Sequence, residues 1–164
     1  GPFHSPSPLV DRGADLEDPL PGGVLLARVV EVLRFLRDDP RCKFEQLSDL
    51  TCVDYLNYPA SEGIDDRYGV IYSLLSLSYN HRLWLKVFVN DPSPTLPTAT
   101  GIWKGADWME REVYDLFGIT FAGHPDLRRI LCPDYFTDHP LRKDYPLTGK
   151  GEREKFPVIG RESA

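Results

Sequence analysis

The sequence predicts an α+β domain, a small antiparallel sheet with amphipathic helices packed on it, followed by an extended irregular C-terminal arm. Three observations carry this. Two stretches repeat their apolar residues at steps of three and four, two β-rich runs meet at a short turn as a hairpin, and the last thirty or so residues have no comparable period.

Residues 1–22 read as a flexible, Pro-rich lead containing Pro2, Pro6, Pro8, Pro19 and Pro21. After Gly22-Gly23, "VLLARVVEVLRFLRDD" places Leu25, Val29, Val32, Leu33 and Leu36 on one stripe with Arg28, Glu31 and Arg34 opposite. That is an amphipathic helix, and Pro40 ends it. "FEQLSDLTCVDYL", Phe44 to Leu56, mixes β-branched and aromatic residues with charges, and reads either as a strand or as a helical turn followed by a strand. Tyr68 to Tyr79 and Arg82 to Val89 form the hairpin, joined at Asn80-His81, with Leu83, Leu85, Val87 and Val89 on one face.

Pro92, Pro94 and Pro97 mark a loop leading into "TGIWKGADWMEREVYDLFG". There Ile102, Ala106, Met109, Val113, Leu116 and Phe117 predict a second amphipathic helix from 102 to 117, weakened near Gly105. Gly118 stands where a left-handed cap ends a helix, so "ITF" should leave in extended form. The boundaries follow: a lead over 1–22, an α+β domain over 23–131 and an interaction arm over 132–164. In the arm, prolines forbid regular structure while Tyr135, Phe136, Leu141, Tyr145, Leu147 and Phe156 are too apolar for an idle tail, so a partner is expected to order it.

Composition narrows the function classes. The 164 residues are 41% apolar and carry a net charge of -6, which argues against a general nucleic-acid binder. The acid is concentrated early: residues 1–66 hold 13 Asp or Glu against 6 Lys or Arg, the remainder 12 against 13. Cys42, Cys52 and Cys132 form no C-x-x-C pair and are odd in number, which fits free thiols in a reducing compartment and is one thiolate short of an iron–sulfur site. No apolar run approaches the roughly 18 residues of a membrane span.

The densest chemistry lies in "EREVYDLFGITFAGHPDLRRIL", residues 110–131. On a helix, Arg111 is four residues after Asp107 and four before Asp115, so the three make a row of ion-pair neighbours, while Glu110 and Glu112 spread acid around the polar arc. A solvated charged face is the ordinary reading of such a row. The sharper reading is a hydrolytic acid–base site made of Glu110, Glu112 and His124. Against it, His4, His81, His124 and His139 are scattered, and no nucleophile elbow, Walker loop or G-x-G-x-x-G is present. His124, between Gly123 and Pro125, suits a tight turn better than a ligand site. The basic pairs Arg128-Arg129 and Arg142-Lys143 are either solvating charges of a loose tail or guanidinium forks for carboxylates on a partner.

These residues resemble a known family, the 30 kDa subunit of NADH:quinone oxidoreductase (respiratory complex I), also called its C-type subunit. The likeness rests on Glu110-Arg111-Glu112, Asp115, Leu116-Phe117, His124, Arg128 and Ile130-Leu131 in the order of the family signature. "DLTCVDY", "GADW", "HPDLRRIL" and "HPLRKDYPL" extend it, the last with Arg142, Lys143, Asp144 and Tyr145, so that it runs from about Phe44 to Thr148. The resemblance implies a hydrophilic, non-redox subunit of the peripheral arm, on the cytoplasmic side of a bacterial membrane or the matrix side of a mitochondrial one. It implies no flavin, cluster or quinone site in this chain, with FMN and iron–sulfur clusters in partner subunits. The implied neighbours are the D-type (49 kDa-like), B-type and I-type subunits. A related ferredoxin-, deazaflavin- or hydrogenase-linked complex is the rival of the same ancestry. The acidic lead and the short tail after Lys150 have no evident family counterpart.

Overall fold

The computed structural model describes residues 22–58 and 66–151, with side chains from Arg28 onward; the predicted lead and the last thirteen residues of the arm lie outside them. The order is α1 (Gly22–Asp38), β1 (Gln46–Asp54), β2 (Tyr68–Ser76), β3 (His81–Val89), β4 (Thr95–Pro97), α2 (Ala106–Phe117) and β5 (Thr120–Ala122). β1, β2 and β3 form an antiparallel sheet in sequence order. Helix α1 lies against β3 and α2 against β1, on the same face of the sheet.

That face is the core. Tyr68, Val70, Tyr72 and Leu74 of β2 are fully buried, flanked by Leu50 and Cys52 of β1 and Val87 and Val89 of β3. Val29 and Leu33 close it from α1, and Val113 and Phe117 from α2. The hairpin pairs Tyr68 with Val89 through Ser76 with His81, and Asn80 takes a positive φ of 54° in its turn, a conformation Asn tolerates.

β1 is a strand over Gln46–Asp54, inside the predicted stretch Phe44 to Leu56, and its ambiguity in the sequence has a structural cause. The register shifts between Leu47 and Asp49, so Leu47 opposes Leu74 and Leu50 opposes Tyr72. The bulge lets two residues three apart point inward, which in sequence imitates a helical step.

Two predicted boundaries differ. The 92–97 loop contains β4, which pairs in parallel with β5 through Thr95–Thr120, Leu96–Phe121 and Pro97–Ala122. Helix α2 begins at Ala106, not at Ile102. The intervening residues, flanked by Gly101 and Gly105, form turns in which the Ile102 and Trp103 amides donate to the Ala99 carbonyl at 2.8 and 3.0 Å. Both side chains are buried, and Arg37 of α1 donates to the Ile102 carbonyl at 2.8 Å. Gly118 does cap α2, at φ 76°, its amide donating to the Tyr114 carbonyl at 2.9 Å.

Candidate functional site

Helix α2 carries four carboxylates, and burial sorts them. Glu110 and Asp115 are completely buried, Asp107 is partly exposed and Glu112 is exposed. A buried carboxylate must find donors, and the two buried ones find them on opposite sides of the helix.

Glu110 faces the β4–α2 connection. Its Oε1 accepts from the Ala99 amide and its Oε2 from the Thr98 hydroxyl, both at 2.6 Å. Burial raises its pKa, against these two bonds and the nearby His124 imidazole. His124 has a side chain sealed from solvent. Its Nδ1 accepts from the Asp126 amide at 3.0 Å, which leaves Nε2 to donate to the Asp107 carbonyl at 3.2 Å. Nε2 also lies 3.2 Å from Asp107 Oδ1 without a hydrogen bond, and 3.9 Å from Glu110 Oε2. The hydrolytic trio does not assemble: Glu112 is turned to solvent, while Glu110 and His124 meet where a substrate has no entry. His124 is the turn residue its Gly-His-Pro context suggests, holding the chain after β5 against α2.

Asp115 faces the arm. Its Oδ2 accepts the amides of Ile130 (3.0 Å), Leu131 (2.7 Å) and Cys132 (2.8 Å), and its Oδ1 accepts from Arg129 at 2.7 Å. Burial alone would raise its pKa, but the three amides and the guanidinium overcome it and hold the group at about 2. Arg129 also donates to the carbonyls of Asp115 and Asp138, at 3.2 and 3.0 Å. His139 bonds the Asp115 carbonyl through Nδ1 at 2.9 Å, and burial lowers its pKa.

The predicted Asp107–Arg111–Asp115 row is not formed. Arg111 is buried and donates to the carbonyls of Arg128 (3.2 Å) and Arg129 (3.4 Å), with its guanidinium 5.1 Å from the Trp108 ring. The reason is tertiary: the chain after Gly123 returns across this face of α2 and supplies better acceptors than a helical neighbour exposed to water.

The second basic pair works the same way. Arg142 donates to the Phe117 carbonyl at 2.6 Å, and the Leu141 amide to that of Leu116 at 3.1 Å. The Lys143 amide reaches Asp54 at 2.9 Å, while its ammonium lies over Tyr58. Asp144 pairs with Arg67 at 2.8 Å, and Arg67 bridges to Asp54 (2.9 Å) and Asp91 (2.7 Å). Tyr145 packs against Phe136, ring centroids 5.9 Å apart. Of the predicted residues, only Arg128 is a solvent-facing charge paired locally, to Asp126 at 2.9 Å. Residues 132–151 therefore carry anchors of their own to the domain.

Asp54, Arg67 and His139 belong to this clamp, and Thr98 to the Glu110 site; none was singled out from the sequence. Asp54 and His139 had a signal, in "DLTCVDY" and "HPLRKDYPL"; Arg67 and Thr98 had none, because their partners are distant in the chain.

Chemically, the arrangement holds the arm through hydrogen bonds and ion pairs. Nearly every ionisable group in it is spent on backbone, and among the described residues no group of three or more His, Cys, Asp or Glu could hold a metal ion. What remains open is apolar. Leu131, Tyr135, Leu141 and Leu147 are exposed along the arm, beside a cavity of about 300 Å³ lined by Pro133, Tyr135, Phe136, Pro140, Tyr145 and Leu147.

A family model described as the respiratory-chain NADH dehydrogenase 30 Kd subunit matches residues 24–151. The C-type subunit of the NADH-quinone oxidoreductase of Verminephrobacter eiseniae is 53% identical over 120 residues, 73% of this chain and 59% of that protein. Its counterpart in Caulobacter vibrioides is 52% identical over 123 residues, 75% of this chain and 59% of that protein. That of Cupriavidus metallidurans is 47% identical over 137 residues, 82% and 68%. The chain thus spans about three fifths of the length of the first two. A solved structure of the trypsin-resistant fragment (1-134) of Nqo5 is 42% identical, covers 57% of this chain and 76% of that one, and has a TM-score of 0.49. With residues 24–151 matching that model and sequence identity near one half to such relatives, the chain belongs to the 30 kDa subunit family of respiratory-chain NADH dehydrogenase.

Proposed function

We propose that this chain is a non-redox, architectural subunit of the hydrophilic peripheral arm of an NADH:quinone oxidoreductase, and that its C-terminal arm is a surface covered by a neighbour in that assembly. It supports electron transfer from NADH to quinone, coupled to proton translocation, by packing rather than by chemistry. The observation that carries this reading is the clamp: buried charges on α2 fix an arm whose Leu131, Tyr135, Leu141 and Leu147 are then held out to solvent. An ordered segment displaying apolar side chains is the anatomy of a docking surface. The D-type (49 kDa-like) subunit is the expected occupant, with B-type and I-type subunits nearby. FMN and the clusters would reside in those neighbours, and the chain would sit peripherally on the cytoplasmic face. No helix among the described residues is long and apolar enough to cross a membrane.

The test is to express the complex with Leu131→Asp and Leu147→Asp together in the full chain. The isolated variant should keep its melting temperature to within about 2 °C, since exposed positions carry little stability. The chain should nevertheless fail to co-purify with the D-type subunit, and NADH:quinone turnover should fall with it. Normal assembly would show that the arm is not the docking surface. Metal and flavin analysis of the isolated chain checks the cofactor reading, with no stoichiometric iron, zinc or flavin expected.

A further inference from the structure

The face of the sheet turned away from the helices carries a second feature, apart from the described residues of the arm. Along it the register sets Asp49 of β1 beside Ser73 of β2, and Ser73 beside Trp84 of β3. The next row is Thr51, Ile71 and Lys86. Neighbouring strands are about 4.8 Å apart, so the backbones of Asp49 and Trp84 stand roughly 10 Å from each other with the smallest side chain between them. The result is a slot of about 280 Å³ lined by Asp49, Thr51, Ile71, Ser73 and Trp84, with a carboxylate wall, an indole wall and a floor of serine and threonine.

Both walls are idle. Among the described residues neither the Asp49 carboxylate nor the Trp84 indole has a hydrogen-bonding, ionic or ring partner, although Trp84 is 76% exposed. The neighbouring cation Lys86 is directed elsewhere, its ammonium 5.8 Å from the Tyr55 ring centroid and 6.0 Å from that of Phe88.

We propose that this slot receives an arginine side chain from a neighbouring subunit, the guanidinium stacked on Trp84 and forked to Asp49. The chemistry selects the ligand. An indole face and a carboxylate both favour a cation, and only a planar guanidinium can lie flat on the ring while offering two parallel N–H donors to the acid. The volume is below the usual range of small-molecule pockets and suits one side chain, and the flanking Ile71 and Phe88 give the surrounding sheet an apolar character suited to a protein partner. The inference rests on the proposed role in a multisubunit oxidoreductase, but on a surface the arm does not share.

The experiment uses the full chain in the complex isolated from membranes. A photo-crosslinking p-benzoylphenylalanine replaces Thr51, and the crosslinked peptide is sequenced. The expected product is one polypeptide of another subunit, joined beside an arginine. Asp49→Asn and Ser73→Leu, which leaves both walls intact but fills the slot, should each reduce retention of that subunit about tenfold under a salt wash, with circular dichroism and melting of the isolated chain unchanged. Asp49→Arg should do the same and be rescued by exchanging the partner's arginine for aspartate. Crosslinks to a second copy, to this chain's own termini or to lipid would overturn the proposal, as would wild-type retention of both slot variants. If the wild-type chain co-purifies with no oxidoreductase subunit, the proposed function fails and takes this inference with it; if it assembles and the slot variants do too, only this inference fails.

Discussion

Asp115 is the residue on which the C-terminal arm turns. Three backbone amides and a guanidinium converge on it, so its removal leaves four donors facing a hole. Asp115→Ala should cost about 3 to 5 kcal/mol in chemical denaturation, the range for breaking a buried pair from one side. Arg111→Ala should cost only about 1 to 2 kcal/mol, because its two bonds, to part-buried carbonyls, are long. The order of the two losses separates this arrangement from the ion-pair row expected of an isolated helix, in which Arg111 would matter most. The acids also differ in pH response. Asp115 is held at about 2, below its ordinary 3.8, so its contribution of roughly 2 kcal/mol is complete above pH 3.8 and lost as pH falls through 2. Glu110 is raised above 4.5, so its ionisation opposes folding, and stability from this group is greatest below pH 4.5 and declines as pH rises through its folded value. Glu110→Gln should therefore flatten the stability profile just above pH 4.5, while Asp115→Asn should lessen the decline at the acid end, which Asp39 and Asp54 share; urea unfolding across pH 2 to 8 measures both.

At the scale of elements, Gly118 joins the end of α2 to the start of the clamp. Its φ of 76° disfavours any side chain, and a Cβ there would lie 2.6 Å from atoms of both His139 and Arg142. Gly118→Ala should thus cost about 2 to 3 kcal/mol, the backbone penalty plus displacement of the arm, and should make residues near 135–145 cleavable by limited proteolysis while the sheet stays intact. The cap itself was legible in the sequence, as were α1, the hairpin and β5, because each depends on local pattern or turn chemistry. β1 was ambiguous because its bulge gives Leu47 and Leu50 a helical spacing. β4 and the true start of α2 were missed because both are set by distant partners, β5 for one and Arg37 and the Ala99 turn for the other. The α2 charges were found but misassigned. Their spacing says they share a face; it does not say that the chain beyond Gly123 will cover that face and convert solvated ions into buried clamps.

Taken together, the described residues form a three-stranded sheet whose one face they close with two helices and whose other face they leave open, with an irregular arm strapped around the end of α2. The strap reaches past the helix to the sheet: the Lys143 amide bonds Asp54 and Asp144 pairs with Arg67. Arg67 and Arg142 lie over the Tyr68 ring, 4.8 and 5.4 Å from its centroid. The arm is therefore part of the folded domain as well as a surface for others, and the two roles make different predictions about its loss. A chain ending at Leu131 loses the Cys132 amide from Asp115, the Arg142 and Leu141 bonds to the end of α2, and one of the three partners of each of the Asp54 and Arg67 side chains. If the arm only served a partner, the isolated truncated chain would melt with the intact one. Because it satisfies buried charges, truncation should cost about 3 to 5 kcal/mol and lower Tm by roughly 10 °C or more before any partner is present. Calorimetry on the two isolated chains decides the matter: coincident melting would mean that Asp115 and Asp54 find water as readily as they find the arm, and that the clamp contributes to assembly alone.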